Sequence, residues 1–321
     1  MIQKYWSPKP TSFAETVESI QQYIQAEIIR EAKNKQLYYH NLNHAIGVQR
    51  RSRLIFQAIK PALVEQHSLQ ELNRLAGLID VCALAHDMVQ VFEPSLPNCP
   101  RKRKLGLSEE TTADKLLDYI KKFNQAVAKE KHDFSILISD REQEIIRDGI
   151  IATICIPDPH RGKMENITSS RSIYQPYLYD AKEKVSIVGS IIALADLGTL
   201  GIEGVEAYLQ DGILVFLEDN PHLFDLVANC DLSNCSELKA TRAKLLGMAQ
   251  FIVELARERQ ALFEVETAGF ETRIRQILQN QVFVHLNQES VNRVRSLVPH
   301  KSDTSLSELV SFFCSKQIDS I

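Results

Sequence analysis

Apolar residues return at steps of three and four along most of this chain, and little interrupts them. Phe13, Val17, Ile20, Ile24, Ile28 and Ala32 fall on one face of a first amphipathic helix, with Ser12 and Glu15 at the spacing of a capping box. His44, Val48, Leu54, Ile55 and Ala58 trace a second helix, which Pro61 is expected to stop. From Leu69, the residues Leu72, Leu75, Ala76, Ile79, Ala83 and His86 trace a third. Its end is apolar on nearly every side, as in a helix buried at the centre of a bundle. Further helices are expected over 108–129, 140–156 (opened by Asp140 and Gln143), 182–200, 203–209, 213–227, 236–266, 270–283 and 305–316. Twelve glycines and eleven prolines among 321 residues fall well short of the roughly 12 % these two types average. With so few turn formers and no sustained strand alternation, a many-turned β-sandwich is excluded and the expected fold class is all-α.

Composition narrows the classes of function. Hydrophobic residues make up 44 % and charged residues 24 %, which excludes intrinsic disorder. The balance of 37 basic to 41 acidic residues, net −4, offers no general attraction to nucleic acid or to an anionic membrane. No run of 18 apolar residues is present, and the first ten residues carry no signal-peptide core, so a cytoplasmic protein with no membrane partner is expected. The six cysteines contain no CxxC pair and suggest no disulfide framework; Cys230 and Cys235 lack a second pair to complete a zinc site. The length suits one large domain or two. A polar stretch at 229–236 suggests a helical domain over 12–230 and a C-terminal helical extension over 231–321 packed on it, whose long apolar pattern is compatible with a homo-oligomer.

Chemistry enters through charged groups in apolar surroundings. His86 and Asp87 end the run Val81-Cys82-Ala83-Leu84-Ala85, and Asp196 ends Ile191-Ile192-Ala193-Leu194-Ala195. An ionised carboxylate in a low-dielectric core is costly unless a cation or a strong hydrogen-bond set compensates it. Upstream, His40 and His44 stand four residues apart in Tyr39-His40-Asn41-Leu42-Asn43-His44. Imidazoles and carboxylates together suit a divalent transition metal and leave positions open for water, as a hydrolytic ion needs. Each feature alone also has a plainer reading, a satisfied core histidine or a capping aspartate.

In their order, His44, then His86-Asp87, then Asp196, these residues resemble the HD superfamily of metal-dependent phosphohydrolases. The segment from Tyr39 to His44 is similar to the YHNxxH entrance of small bacterial predicted HD phosphohydrolases and, more distantly, of cyclic-nucleotide phosphodiesterases. Ser108-Glu109-Glu110-Thr111-Thr112-Ala113 is similar to their EExSA segment, and Ala195-Asp196-Leu197-Gly198-Thr199-Leu200-Gly201 to their ADLxxLG segment. The resemblance covers about residues 36–202. It implies an HD-like helical bundle carrying additional C-terminal helices, with His44, His86, Asp87 and Asp196 as ligands of one divalent ion (Mn, Mg, Fe, Zn, Ni or Co), and with Asp87 bridging if two ions bind. It further implies His40 as general acid, with a structural histidine as the alternative. Glu109 or Glu110 would orient water or a histidine, although both also suit the first turn of a helix.

Arg101, Lys102, Arg103 and Lys104 follow the doublet within one loop and are candidates to meet a substrate phosphate; a solvated basic face is the alternative. The cluster Pro159-His160-Arg161-Gly162-Lys163 has the same standing. The expected partner is a small phosphorylated molecule, with a nucleotide among the candidates. Accessory histidines of two-metal relatives are lacking between the doublet and Asp196, where His132 and His160 stand in polar segments, and Met88-Val89-Gln90-Val91 replaces a second histidine. This departure motivates a rival reading, an inactive HD-type signalling or scaffold protein that keeps a structural metal. An oxygen-using di-iron enzyme ranks last, because its extra histidine ligands are not evident.

Overall fold

In the computed structural model, which describes residues 10–94, 99–130, 133–157, 173–179, 185–228 and 238–315, polar caps set where the central helices begin. Helix α1 (Phe13–Lys35) starts at Ser12, whose hydroxyl accepts the Glu15 N–H. The Glu15 carboxylate turns away to the amide and hydroxyl of Thr11, so only half of the expected capping box forms. Helix α2 (Leu42–Leu63) is capped by Asn41, which accepts the N–H groups of Asn43 and His44. It runs through Pro61 rather than stopping there: the proline removes one backbone bond in the last turn, and burial of Ile59, Ala62 and Leu63 keeps that turn wound. Helix α3 (Leu69–Ala85) opens with a complete capping box between Ser68 and Glu71.

Helix α4 (Leu107–Ala128) follows Gly106, whose φ of 74° is the left-handed turn that glycine accepts at little cost. Helix α5 (Asp140–Ile151) is boxed by Ser139 and Glu142, one residue earlier than the expected Asp140 and Gln143 pair. It also ends sooner than 156, at Ile151. Beyond it the chain extends as strand β1 (Ile156–Pro157), antiparallel to β2 (Ile173–Tyr174), with Pro157 keeping Ile156 out of the helical region. After α6 (Pro176–Tyr179) come α7 (Ile187–Asp196), α8 (Thr199–Glu203) and α9 (Val205–Asp219). Helix α9 is continuous where two pieces were expected. The interruption at Asp211 and Gly212 is absorbed by packing, since Asp211 accepts the Thr199 hydroxyl and a Cβ at Gly212 would lie only 2.9 Å from Ile252.

The rest of the described chain is α10 (Phe224–Ala228), α11 (Leu238–Glu266), α12 (Thr272–Ile277) running into a π turn (Leu278–Val282), α13 (Gln288–Leu297) and α14 (Leu306–Ser315). Helix α13 has no counterpart in the sequence reading. The fold is all-α, with one two-residue strand pair among the described residues.

Helix α3 lies at the centre, packed against α1, α2, α5 and α7. Val81 to Ala85 on α3 and Ile191 to Ala195 on α7 are fully buried, as their unbroken apolar character requires. A second apolar cluster joins α9 to α11, α13 and α14. The expected domain boundary, His132, His160, the 159–163 cluster, Cys230 and Cys235 lie outside the described residues. Cys314 is disulfide-bonded, which the cysteine spacing gave no reason to expect. Among the described residues no helix is long and apolar enough to cross a membrane.

Candidate metal centre and adjoining cavity

Helix ends bring the charged residues together. His44 stands in the first turn of α2, His86 and Asp87 directly follow the last residue of α3, and Asp196 is the last residue of α7. His44 Nε2 and His86 Nε2 are 3.2 Å apart. His44 Nε2 lies 3.3 Å from Asp87 Oδ2 and 3.5 Å from Asp196 Oδ1; His86 Nε2 lies 2.9 Å and 3.5 Å from the same two oxygens. One ligand atom from each of the four residues lies within 4.8 Å of every other.

This donor set fits a divalent ion. Donors bonded to one ion at about 2.1 Å are themselves roughly 3.0–3.4 Å apart, close to the separations found here. His86 Nδ1 lies 2.8 Å from the Ala83 carbonyl, so that nitrogen carries the proton and donates it, and Nε2 is left to act as a ligand. Asp87 and Asp196 sit at the C-terminal, negative ends of two helix dipoles, where a carboxylate is unfavourable unless a cation joins it. Burial opposes the charge on Asp87, but His86 and His40 outweigh it and hold its carboxyl well below the usual range. Burial likewise opposes charge on His86, and the two aspartates raise its pKa well above the ordinary value.

Amides orient the outer carboxylate oxygens. Gln90 Nε2 donates to Asp87 Oδ1 at 3.0 Å, and Gln175 Nε2 to Asp196 Oδ2 at 3.4 Å. Gln90 belongs to the segment in which the sequence reading noted a missing histidine. Ser108 and Thr112 hold the backbone of that segment, their hydroxyls accepting the N–H groups of Val91 and Val89 at 3.0 Å. Arg51, almost fully buried, donates from Nε to the Ala195 carbonyl at 2.7 Å and pairs with Glu203, placing a cation at the end of α7.

His40 Nε2 lies 3.7 Å from Asp87 Oδ2. Its Nδ1 is 2.5 Å from Glu218 Oε1, while Glu218 Oε2 accepts the backbone N–H groups of Tyr39 and His40 at 2.9 Å. Burial lowers the pKa of His40, but Glu218 and Asp87 reverse the effect and raise it. Burial works equally against Glu218, and His40 with Arg103 still brings its carboxyl down to about 2. The chain matches no known protein-family pattern, no curated protein and no solved structure.

Beside the cluster opens a cavity of about 340 Å³ bordered by His40, Asp87 and Asp196. The basic run divides around it. Arg103 and Lys104 border the cavity, with Arg103 paired to Glu218 and Asp219 at 2.5 Å. Arg101 instead donates to the carbonyls of Lys35 and Gln36, at the end of α1, and Lys102 is exposed and outside the lining. The two glutamates divide as well: Glu109 borders the cavity, its pKa raised by burial and by Asp87, while Glu110 is exposed.

Glu218, Asp219, Gln90 and Gln175 were missed from sequence. For Glu218 a signal was present. Ile213-Leu214-Val215-Phe216-Leu217-Glu218 is a third apolar run ending in a carboxylate, the same oddity that singled out Asp87 and Asp196.

Proposed function

We propose that the chain is a metal-dependent phosphohydrolase of the HD type, and that His44, His86, Asp87 and Asp196 hold its divalent ion. The observation that carries this reading is the convergence of two imidazole nitrogens and two carboxylate oxygens within 4.8 Å, at the edge of a cavity. The bound ion would supply Lewis-acid polarisation of a phosphoryl group.

The remaining work falls to side chains. Gln90 and Gln175 fix the rotation of the two aspartates, so the ligand oxygens stay aimed at one point. Glu218 accepts from His40 Nδ1, which leaves Nε2 as the nitrogen that carries an exchangeable proton on the Asp87 side. A proton held there, with the pKa raised, suits a general acid that protonates a departing alcohol. With an ion held by Asp87, that carboxylate's charge would be taken up, and Glu218 would be the group that sustains the protonated imidazole. Arg103 and Lys104 would meet phosphate oxygens, with Arg103 held in position by Glu218 and Asp219.

The test is elemental analysis together with a panel of phosphomonoesters and phosphodiesters, run on the wild type and on Asp87→Ala. The expected result is bound metal and turnover in the first and neither in the second. A wild-type protein that holds no metal, and an Asp87→Ala variant that differs in neither stability nor activity, would refute the reading. Metal without turnover of any phosphoester would favour the scaffold alternative.

A further inference from the structure

The side chains lining the cavity beside the candidate metal centre fall into two unlike sets. One comprises His40, Asp87, Asp196, Arg103 and Lys104. The other is made up of Met248, Phe251, Ile252 and Leu255, which share one face of α11, and is completed by Leu105, Ile173 and Val215. Met248, Phe251 and Leu255 are only partly buried, and Leu105 stands 61 % exposed at the cavity edge.

Recognition of a nucleobase needs convergent donors and acceptors that are free to pair with its edge. Three polar side chains of this half are already engaged. The Tyr208 hydroxyl donates to the Ile252 carbonyl at 2.6 Å, and the Thr199 hydroxyl donates to Asp211 at 2.8 Å. The Arg259 guanidinium is paired with Glu266 through both terminal nitrogens and keeps one unpartnered Nε–H, too little to read a base.

Resting on the hydrolase reading for its phosphate end, we propose that this cavity binds the phosphomonoester of an aliphatic alcohol, with the phosphate at the metal cluster and the hydrocarbon chain against α11. The C-terminal helices thereby acquire a role: α11, itself packed on α9, α13 and α14, is the wall that selects the alcohol. Burial of each methylene then adds a constant increment to binding until the cavity is full.

Calorimetric titration of the full-length, metal-loaded protein with non-hydrolysable n-alkylphosphonates, methyl through octyl, tests this. The expected result is an affinity that rises about fourfold per methylene over the first members and then levels off. Met248→Gln and Phe251→Asn should flatten that rise. The same series of n-alkanols, titrated into chelator-treated protein, reads the apolar half without the metal and should show the same slope. An affinity independent of chain length in both series overturns the proposal, whether or not the variants fold. Tighter binding of a nucleoside monophosphate than of octylphosphonate overturns it too. If the slope is found but no phosphomonoester or phosphodiester is hydrolysed, the cavity assignment stands and the hydrolase reading falls. Hydrolysis of nucleotides with a flat slope gives the reverse.

Discussion

Glu218 grips His40 twice: one carboxylate oxygen accepts the backbone N–H at 2.9 Å while the other lies 2.5 Å from the ring Nδ1. The contact joins the end of α9 to the residue just before the cap of α2, and it orients the ring nitrogen that faces Asp87. Glu218→Gln removes the charge that favours the protonated ring. We expect kcat toward an alkyl phosphomonoester to fall by about tenfold or more, within the usual contribution of a general acid. A p-nitrophenyl ester, whose leaving group needs no proton, should lose less, and metal content should be unchanged. Equal losses for both esters would count against the acid role.

Asp196 is 3.5 Å from both ligand nitrogens and stands at the negative end of α7. Asp196→Ala is expected to bring the metal stoichiometry after dialysis close to zero, measured by elemental analysis. An unaltered stoichiometry would remove Asp196 from the ligand set.

Gln90 touches the candidate metal cluster only through Asp87. Gln90→Leu should keep the fold and weaken metal affinity by about 10–100-fold, the usual effect of losing a partner that orients a ligand. Competition with a chelating dye measures it.

Glu142 gives a pH dependence remote from the site. Burial pushes its carboxyl up, but Arg74, bound at 2.5 and 2.6 Å, and Ser139, bound at 2.8 Å through amide and hydroxyl, hold it below the usual range. With the folded pKa below the unfolded value of about 4.3, its contribution is present above that pH and is lost as the pH falls through the lower folded pKa. Glu142→Gln should cost on the order of 1–3 kcal/mol near pH 7, the scale of hydrogen bonds to a charged group. Urea unfolding from pH 7 down to pH 3 should show the difference from wild type shrinking as the pH falls.

The candidate metal cluster was legible because its residues break a local rule. Asp87 and Asp196 each end a run of buried apolar side chains, and a carboxylate in that setting needs a counter-charge wherever the helix ends up. The order of His44, the doublet and Asp196 supplied the rest. Helix boundaries were less legible. The expected helix through 156 stops at Ile151 and Ile156–Pro157 pairs with a later segment as β1, while the two pieces expected around 211 became one α9 because Ile252 packs against Gly212 from another helix. Arg101 and Arg103 look alike in sequence, yet one serves the carbonyls at the end of α1 and the other borders the cavity.

Periodicity, caps and misplaced charge depend on neighbours a few residues away, so the all-α class and the four candidate ligands follow from the order of amino acids alone. Glu218 beside His40, Gln175 behind Asp196 and the face of α11 that lines the same cavity as the cluster bring together segments far apart in the chain. Such contacts are settled by how whole helices pack, where shape and burial over many residues outweigh any local pattern, so the partners of His40 and the apolar half of the cavity emerged only from the folded chain.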